Sequence, residues 1–291
     1  MAEVGARWTQ LFEYVPGSFI YVLFWGAAAL TWLLGSLFLA GREGLPRGRV
    51  AVLLLLSVPL FVIGARAHAL LFEARIPLGD VVRSPSLLFE PGWRLPGGLL
   101  LGVSCSPVLA ALLRIPFRPF ADSVLPFAGL GLAVGRLGCF LNGCCHGRVS
   151  DVPWAVRFPR ESEAWANHVG RALVPSHAEL SLPVQPLQLY LVVAGIAATA
   201  LLLWLRPRRR FAGEVALVGG VLITWPPAAL ELLRESEFMQ PVALRSAIPF
   251  VVGTLCLVSW LRVRLRTSPE MTPGALESRP SQGGLRTTPE R

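Results

Sequence analysis

The segment "GRLGCFLNGCCHGR", residues 135–148, places two arginines, an asparagine, a histidine, three cysteines and four glycines at the end of a long apolar run. Arg136 follows the charge-free stretch "SVLPFAGLGLAVG". An arginine at membrane depth costs about 3 kcal/mol to insert, so it turns toward a protein interior or a watery hollow. Its flat, always-charged fork matches the oxygens of a phosphate, which makes Arg136 a candidate anion ligand. The plainer reading is an arginine that snorkels to the interface. Gly131, Gly135 and Gly138 suit close helix packing. Asn142, Gly143 and Gly147, in "NGCCHG", read better as a turn at the mouth of a cavity.

Cys139, Cys144, Cys145 and His146 follow a C-x4-C-C-H spacing that matches no zinc pattern. Neighbouring cysteines such as Cys144 and Cys145 rarely bridge each other. The thiols are therefore read as small, partly buried side chains, and neither a metal nor a cofactor is expected. "LPGGLLLG", residues 95–102, sets Gly97 and Gly98 at a helix start, where backbone N–H groups can face an anion or simply open the helix. "VQPLQLY" opens another helix, and Gln188 and Tyr190 just inside it need polar partners. Glu231 and Arg234 sit three residues apart and either pair on one helix face or line the same hollow as Arg136. Arg66 and His68 mark the outer end of a further apolar run, with His68 read as a hydrogen-bonded interfacial histidine.

The composition says what must position these groups. The chain has 291 residues, 53% hydrophobic and 15% charged, with a mean hydropathy of +0.56. A soluble domain is nearer a quarter charged. Seven apolar runs approach the roughly 20 residues a helix needs to cross hydrocarbon: about 18–40, 50–65, 97–113, 121–141, 187–205, 214–233 and 242–261. Backbone groups in lipid must be satisfied within their own segment, so an all-α integral membrane protein with about seven transmembrane helices is expected.

The net charge is +9, carried by arginine with no lysine. The arginines lie in short clusters between apolar runs, which argues for membrane topology and against nucleic acid. "GREGLPRGR", "RIPFRPF", "RPRRR" and "RVRLR" follow the first, third, fifth and seventh spans. By the positive-inside rule this puts the N-terminus outside and the C-terminus in the cytoplasm. The expected organisation is an N-terminal interfacial segment over 1–17, a transmembrane domain over 18–266 and a disordered cytoplasmic tail over 267–291. Long outside loops are expected at about 73–96 and 142–186, the second carrying Trp154 and Trp165 at headgroup level. Five cysteines, an odd number, do not form a secreted disulfide framework, and no cleavable signal peptide is expected.

The central segment, followed by "VSDVPWAVRFP", resembles the signature region of the bacterial prolipoprotein diacylglyceryl transferase family. "PGGLLLG", "QPLQLY", "ELLRE" and "GARAHALLFE" resemble further family elements in the same order. The resemblance covers about residues 25–234. It implies a multi-pass enzyme of the bacterial inner membrane. Such an enzyme moves the diacylglyceryl group of phosphatidylglycerol onto the lipobox cysteine thiol of an exported prolipoprotein, with glycerol phosphate leaving. The implied partners are thus phosphatidylglycerol, the prolipoprotein signal-peptide lipobox and membrane lipid, with no nucleic acid.

Several positions depart from the family pattern. Pro96 stands where the family has a histidine before the paired glycines, Gln185 and Leu191 replace a histidine and an acid, and Pro227 replaces an arginine. Cys139 and Cys144 replace an asparagine and a glutamate, while Asn142, Gly143, Gly147 and Arg148 match. On this reading Arg136 binds phosphate and His146 is a substitute base. Gly97, Gly98, Gly135, Gly138, Asn142, Gly143, Gly147, Arg148, Arg66, Gln188, Tyr190, Glu231 and Arg234 shape or support the headgroup site. Two rival readings are a relative that binds phospholipid or lipoprotein without transfer, and a small transporter with an arginine-lined cavity. The second lacks the inverted repeat expected of a transporter.

Overall fold

The computed structural model describes residues 17–70, 79, 83, 95–234 and 242–266. Its elements in chain order are α1 (Gly17–Arg42), α2 (Arg47–His68), α3 (Leu95–Leu112), α4 (Phe117–Leu141), α5 (Glu163–Gly170), α6 (Leu187–Leu205), α7 (Glu214–Leu230) and α8 (Val242–Arg266). Short 3-10 turns, Arg206–Arg208 and Glu231–Leu233, extend α6 and α7. Among the described residues the only β-type pairing is a set of isolated bridges. Most of the expected outside loop at 73–96, the first sixteen residues and the tail from 267 lie outside the described residues, and positions 95–96 already belong to α3.

The protein is all-α, and among the described residues five helices are long and apolar enough to cross a membrane: Phe19–Arg42, Arg47–His68, Phe117–Leu141, Leu187–Arg208 and Glu214–Leu233. Gly97–Leu112 is a shorter apolar helix. Leu23, Leu30, Leu34, Leu55, Val103, Val193 and Leu255 are exposed on the helix faces. In water such a belt would mark an interface; on helices of this length it is the surface that meets acyl chains.

Helix α4 is the hub, packing against α1, α6 and α7. Its buried face is built from small residues, among them Ser123, Gly129, Ala133, Gly135 and Gly138. Lipid tails are as apolar as leucine, so helices here associate by close backbone contact rather than by hydrophobic exclusion. A Cβ on Gly129 would lie 2.6 Å from Gly195 O on α6. Helices α2 and α3 form a hairpin of the same kind, with Gly64 and Gly97 facing each other's carbonyls. A compact apolar cluster of Ala40, Leu45, Val50, Leu53, Leu54, Ala110, Ile115 and Phe120 ties the ends of α1, α3 and α4 to the start of α2.

The arginine clusters, read from the sequence only as topology signals, carry structural bonds. Arg206 Nη2 meets Glu43 Oε1 at 2.7 Å, and Arg209 grips both Glu43 oxygens at 2.6 Å. Asp122 on α4 accepts from Gly213 N and Ala216 N at 2.8 Å each, so a carboxylate from one helix caps the N-terminus of another. Glu214 accepts from Trp260 Nε1 and Arg264 Nη1, both at 3.0 Å. This corrects one expectation. "RVRLR" is not a loop after the last span; α8 runs through it to Arg266, because Arg264 finds a buried acid on α7 and cations suit a helix C-terminus.

The expected loop at 142–186 is also more ordered than a loop. It holds α5, whose N-cap Ser162 accepts from Trp165 N. Bridges Val149↔Val184, Val156↔Val184 and Pro159↔Leu180 fold it back on itself. Phe158, Ala164 and Val184 form its small core.

Candidate functional site

The site begins where α4 ends. Asn142 is the C-cap of α4, and Gly143 follows in the left-handed region at φ +67. Gly143 N donates to Phe140 O at 3.1 Å and Cys144 N donates to Cys139 O at 3.1 Å. These two bonds are a Schellman motif, which satisfies the last carbonyls of the helix and reverses the chain. The motif brings its residue after the glycine, Cys144, back onto Cys139 one turn earlier; Cys144 Sγ lies 3.6 Å from Cys139 O. Cys145 is itself left-handed at φ 59. Three thiols separated in sequence thus end within 4.8 Å of one another.

Beyond the cysteines, the turn is clamped between two other parts of the chain. Gly147 N donates to Gln185 O at 2.9 Å, Gln185 N donates to Arg148 O at 3.0 Å, and Arg148 N donates to Leu233 O at 2.8 Å. A Cβ on Gly147 would lie 2.9 Å from Gln185 O and 3.2 Å from Leu233 O, so only glycine allows this three-way approach. Gln188, fully buried, donates from Nε2 to Cys144 O at 2.7 Å. The segments "GRLGCFLNGCCHGR", "QPLQLY" and "ELLRE" therefore meet at one point.

The charged groups gather at the same place. Arg136 is half-buried on the last turns of α4, close enough to Tyr21, Cys139 and Cys145 to act on each electrostatically. Arg234 acts on Cys145 as well and pairs with Glu231 at 3.1 Å. Hydrogen bonds from Cys139 and Cys144, together with the Arg234 and Arg136 guanidiniums, hold the Cys145 thiol well below the usual thiol range. Hydrogen bonding with Cys139 and Cys145 pushes the Cys144 thiol up. Two guanidiniums thus flank one turn, with Glu231 offsetting the charge of Arg234, and a planar guanidinium suits an anion.

Other residues singled out from the sequence fall elsewhere. Gly97 and Gly98 lie in the α2–α3 crossing, against Gly64, His68 and Phe61. Gly135 and Gly138 pack on Trp25 and Phe24 of α1. Arg148 turns its side chain to the surface and contributes its backbone. Arg66 is buried, 5% exposed, in the last turn of α2. Tyr190 Oη accepts from Trp154 Nε1 at 2.5 Å. His146 is buried, with Nδ1 3.1 Å from Gly147 O and its ring edge-on to buried His168 at 5.8 Å. His168 Nδ1 accepts from Leu182 N, which places any proton of the neutral ring on Nε2.

Two aromatic residues on α1 were not singled out from the sequence. Tyr21 and Trp25 lie with ring centroids 6.2 Å apart and planes tilted by 58°, on the face of α1 that meets α4 beside Arg136. A phenol and an indole four residues apart in an apolar helix are the signal that could have found them, since each polar tip needs a partner.

Residues 17–260 match the family model described as prolipoprotein diacylglyceryl transferase. The chain is 37% identical over 130 residues to a protein of Bordetella parapertussis named phosphatidylglycerol–prolipoprotein diacylglyceryl transferase, covering 44% of this chain and 43% of that one. A protein of that name from Bordetella avium is 31% identical, covering 62% of this chain and 65% of its own. A third, from Pseudomonas fluorescens, is 28% identical over 76% of this chain and 78% of its own length. The chain thus spans less than half the length of the first of these relatives and over three quarters of the last. With most of its length matched by the family model and its three motifs joined at one turn, the chain belongs to the prolipoprotein diacylglyceryl transferase family.

Proposed function

We propose that this protein transfers the diacylglyceryl group of phosphatidylglycerol to the lipobox cysteine thiol of exported prolipoproteins. The observation that carries the reading is the junction at Gly147, where the Arg136 motif is bonded to the segments bearing Gln188 and Arg234. In the reaction the substrate thiolate attacks the glycerol carbon that bears the phosphate. A carbon–sulfur bond forms, the carbon–oxygen bond breaks, and glycerol phosphate leaves with the electron pair. The nucleophile belongs to the substrate, so the enzyme's task is electrostatic. It must hold an anionic headgroup, stabilise the departing charge and keep the thiol ionised.

Arg136 and Arg234 are the groups for that charge, with Arg66 a third guanidinium at the end of α2. Asn142 and Gly143 shape the turn, Gly135 and Gly138 set the distance of α1 from α4 beside it, and Gln188, Tyr190 and Glu231 hold its frame, while Gly97 and Gly98 close the α2–α3 crossing. Of the chain's four histidines, His146 alone lies in the Arg136 motif and is the proton acceptor on this reading. The membrane is the bacterial inner membrane, crossed by seven helices, with the Gly147 junction toward the outside and the Glu43–Arg209 cluster toward the cytoplasm. This follows the positive-inside rule.

The test mixes the purified full-length chain with phosphatidylglycerol vesicles and a lipobox peptide. A diacylglyceryl mass gain on the peptide, with one glycerol phosphate released per transfer, is the expected result. Lipid or peptide binding without either product would identify a non-catalytic relative instead. Unchanged turnover in His146→Ala would remove that residue as the base.

A further inference from the structure

The cysteine turn has a geometry that lipid transfer does not require. The Sγ atoms of Cys139, Cys144 and Cys145 all lie within 4.8 Å of one another, with two of the three residues buried. Adjacent side chains normally diverge. Here the Schellman reversal at Gly143 and the left-handed Cys145 backbone turn all three thiols to one point. We propose that this turn is a binding site for a thiophilic d10 metal ion, Zn(II) or Cu(I), held by Cys139, Cys144 and Cys145.

Metal–sulfur bonds near 2.3 Å set sulfur–sulfur edges of about 3.8–4.0 Å in tetrahedral or trigonal sites. From separations of at most 4.8 Å, the sulfurs close to these edges by moving about 1 Å toward one another. Sulfur-only donors select soft ions over calcium, magnesium or manganese. Each thiol gives up its proton to solvent as its sulfur–metal bond forms. Three thiolates around Zn(II) carry one net negative charge, and around Cu(I) two. Arg136 and Arg234 act on Cys145, and with Arg234 paired to Glu231 they leave one positive charge, which matches the Zn(II) sum. Gln188 adds a second polar feature: its Nε2 is fixed to Cys144 O, and its buried Oε1 has no hydrogen-bond partner among the described residues. An acceptor beside the turn suits a water bound at the open fourth position of a three-sulfur zinc site.

A disulfide would use only two of these sulfurs, and adjacent Cys144 and Cys145 are poorly placed to join. The remaining thiols, Cys105 on α3 and Cys256 on α8, lie outside the cluster and serve as internal controls.

The experiment uses the full-length chain in detergent, reduced and free of oxygen. It is titrated separately with Zn(II), Cu(I) and Cd(II), the last reporting through its sulfur-to-metal charge-transfer absorbance. Thiol alkylation is then mapped by mass spectrometry. The expected result is one ion per chain, with Cys139, Cys144 and Cys145 protected while Cys105 and Cys256 stay reactive. Cys145→Ser should weaken binding by more than about tenfold, whereas Cys105→Ser with Cys256→Ser should leave it unchanged. If none of the three ions protects the turn in the unaltered chain, the proposal is overturned, with no variant needed. A charge-transfer band that survives Cys145→Ser overturns it equally. Chelator competition between Zn(II) and Cu(I) identifies the resident ion.

Discussion

Gln188 Nε2 donates to Cys144 O at 2.7 Å, joining the start of α6 to the turn that closes α4 across 44 residues of sequence. Both residues are buried, so neither group has water as an alternative partner. A buried carbonyl left without its donor loses about 1–3 kcal/mol. Gln188→Leu should therefore lower the thermal midpoint in detergent and weaken diacylglyceryl transfer. Gln188→Asn, which keeps the amide but shortens its reach, should fall between. A Gln188→Leu chain with unaltered stability and turnover would show that the bond carries no weight.

Gly147→Ala separates positioning from folding. The added methyl would press on Gln185 O at 2.9 Å, and a backbone carbonyl cannot rotate away. The turn must move as a unit, carrying the cysteines away from the QPLQLY and ELLRE segments. A shift of this order costs about a hundredfold in rate when it displaces groups around a reacting centre. Transfer should drop by that factor while the helical circular dichroism signal stays near normal. Equal loss of both would mark Gly147 as a folding residue only.

Arg136 should be intolerant of lysine. Both side chains are cationic, but only the guanidinium presents a planar pair of donors to phosphate. Arg136→Ala should lower kcat/KM for phosphatidylglycerol by about 100- to 1000-fold, the range seen when a charge-stabilising donor is removed. Arg136→Lys should recover less than half of that loss on a logarithmic scale. Full activity in the lysine variant would mean that charge alone suffices.

The Glu43 cluster gives a pH dependence of stability. Hydrogen bonds from Arg209, then Arg206, hold the Glu43 carboxyl below the ordinary glutamate value. A depressed folded-state pKa stabilises the fold fully above the unfolded value of ~4.3 and loses that contribution as pH falls through the folded one. The thermal midpoint should therefore fall on acidification below about pH 4. Glu43→Gln should be less stable at neutral pH, by about 1–3 kcal/mol for a nearly buried hydrogen-bonded charge, and should show a flatter acid limb. Parallel acid limbs for the two chains would place the acid sensitivity in other carboxylates.

Much of the architecture was legible in the residue order. The span expected at 187–205 is α6 with the same limits, and the end expected at 141 is the end of α4. Lipid leaves a backbone no option but to bond within its own segment, so an apolar run of sufficient length already determines a helix. The Asn-Gly pair likewise announced a reversal at 142–143, because few other residues take a left-handed turn without strain. Arg136 stood out as a candidate for the same reason, since an arginine at the end of an apolar run needs a partner.

What the residue order did not determine is which distant groups meet. "RPRRR" reads as four equivalent positive charges, yet Arg209 and Arg206 close on Glu43 more than 160 residues away, and Arg208 lies over Trp204. "PGGLLLG" reads equally as an anion cradle or a helix crossing, and only the packing of α3 on α2 sets Gly97 against Gly64. The C-x4-C-C-H spacing fits no linear ligand pattern, while the reversal at Gly143 brings its three thiols together. Hydropathy and turn propensity act over a few residues and are written in the chain. Bonds across the bundle depend on helix rotation and crossing distance, which are fixed by close packing of the whole tertiary structure.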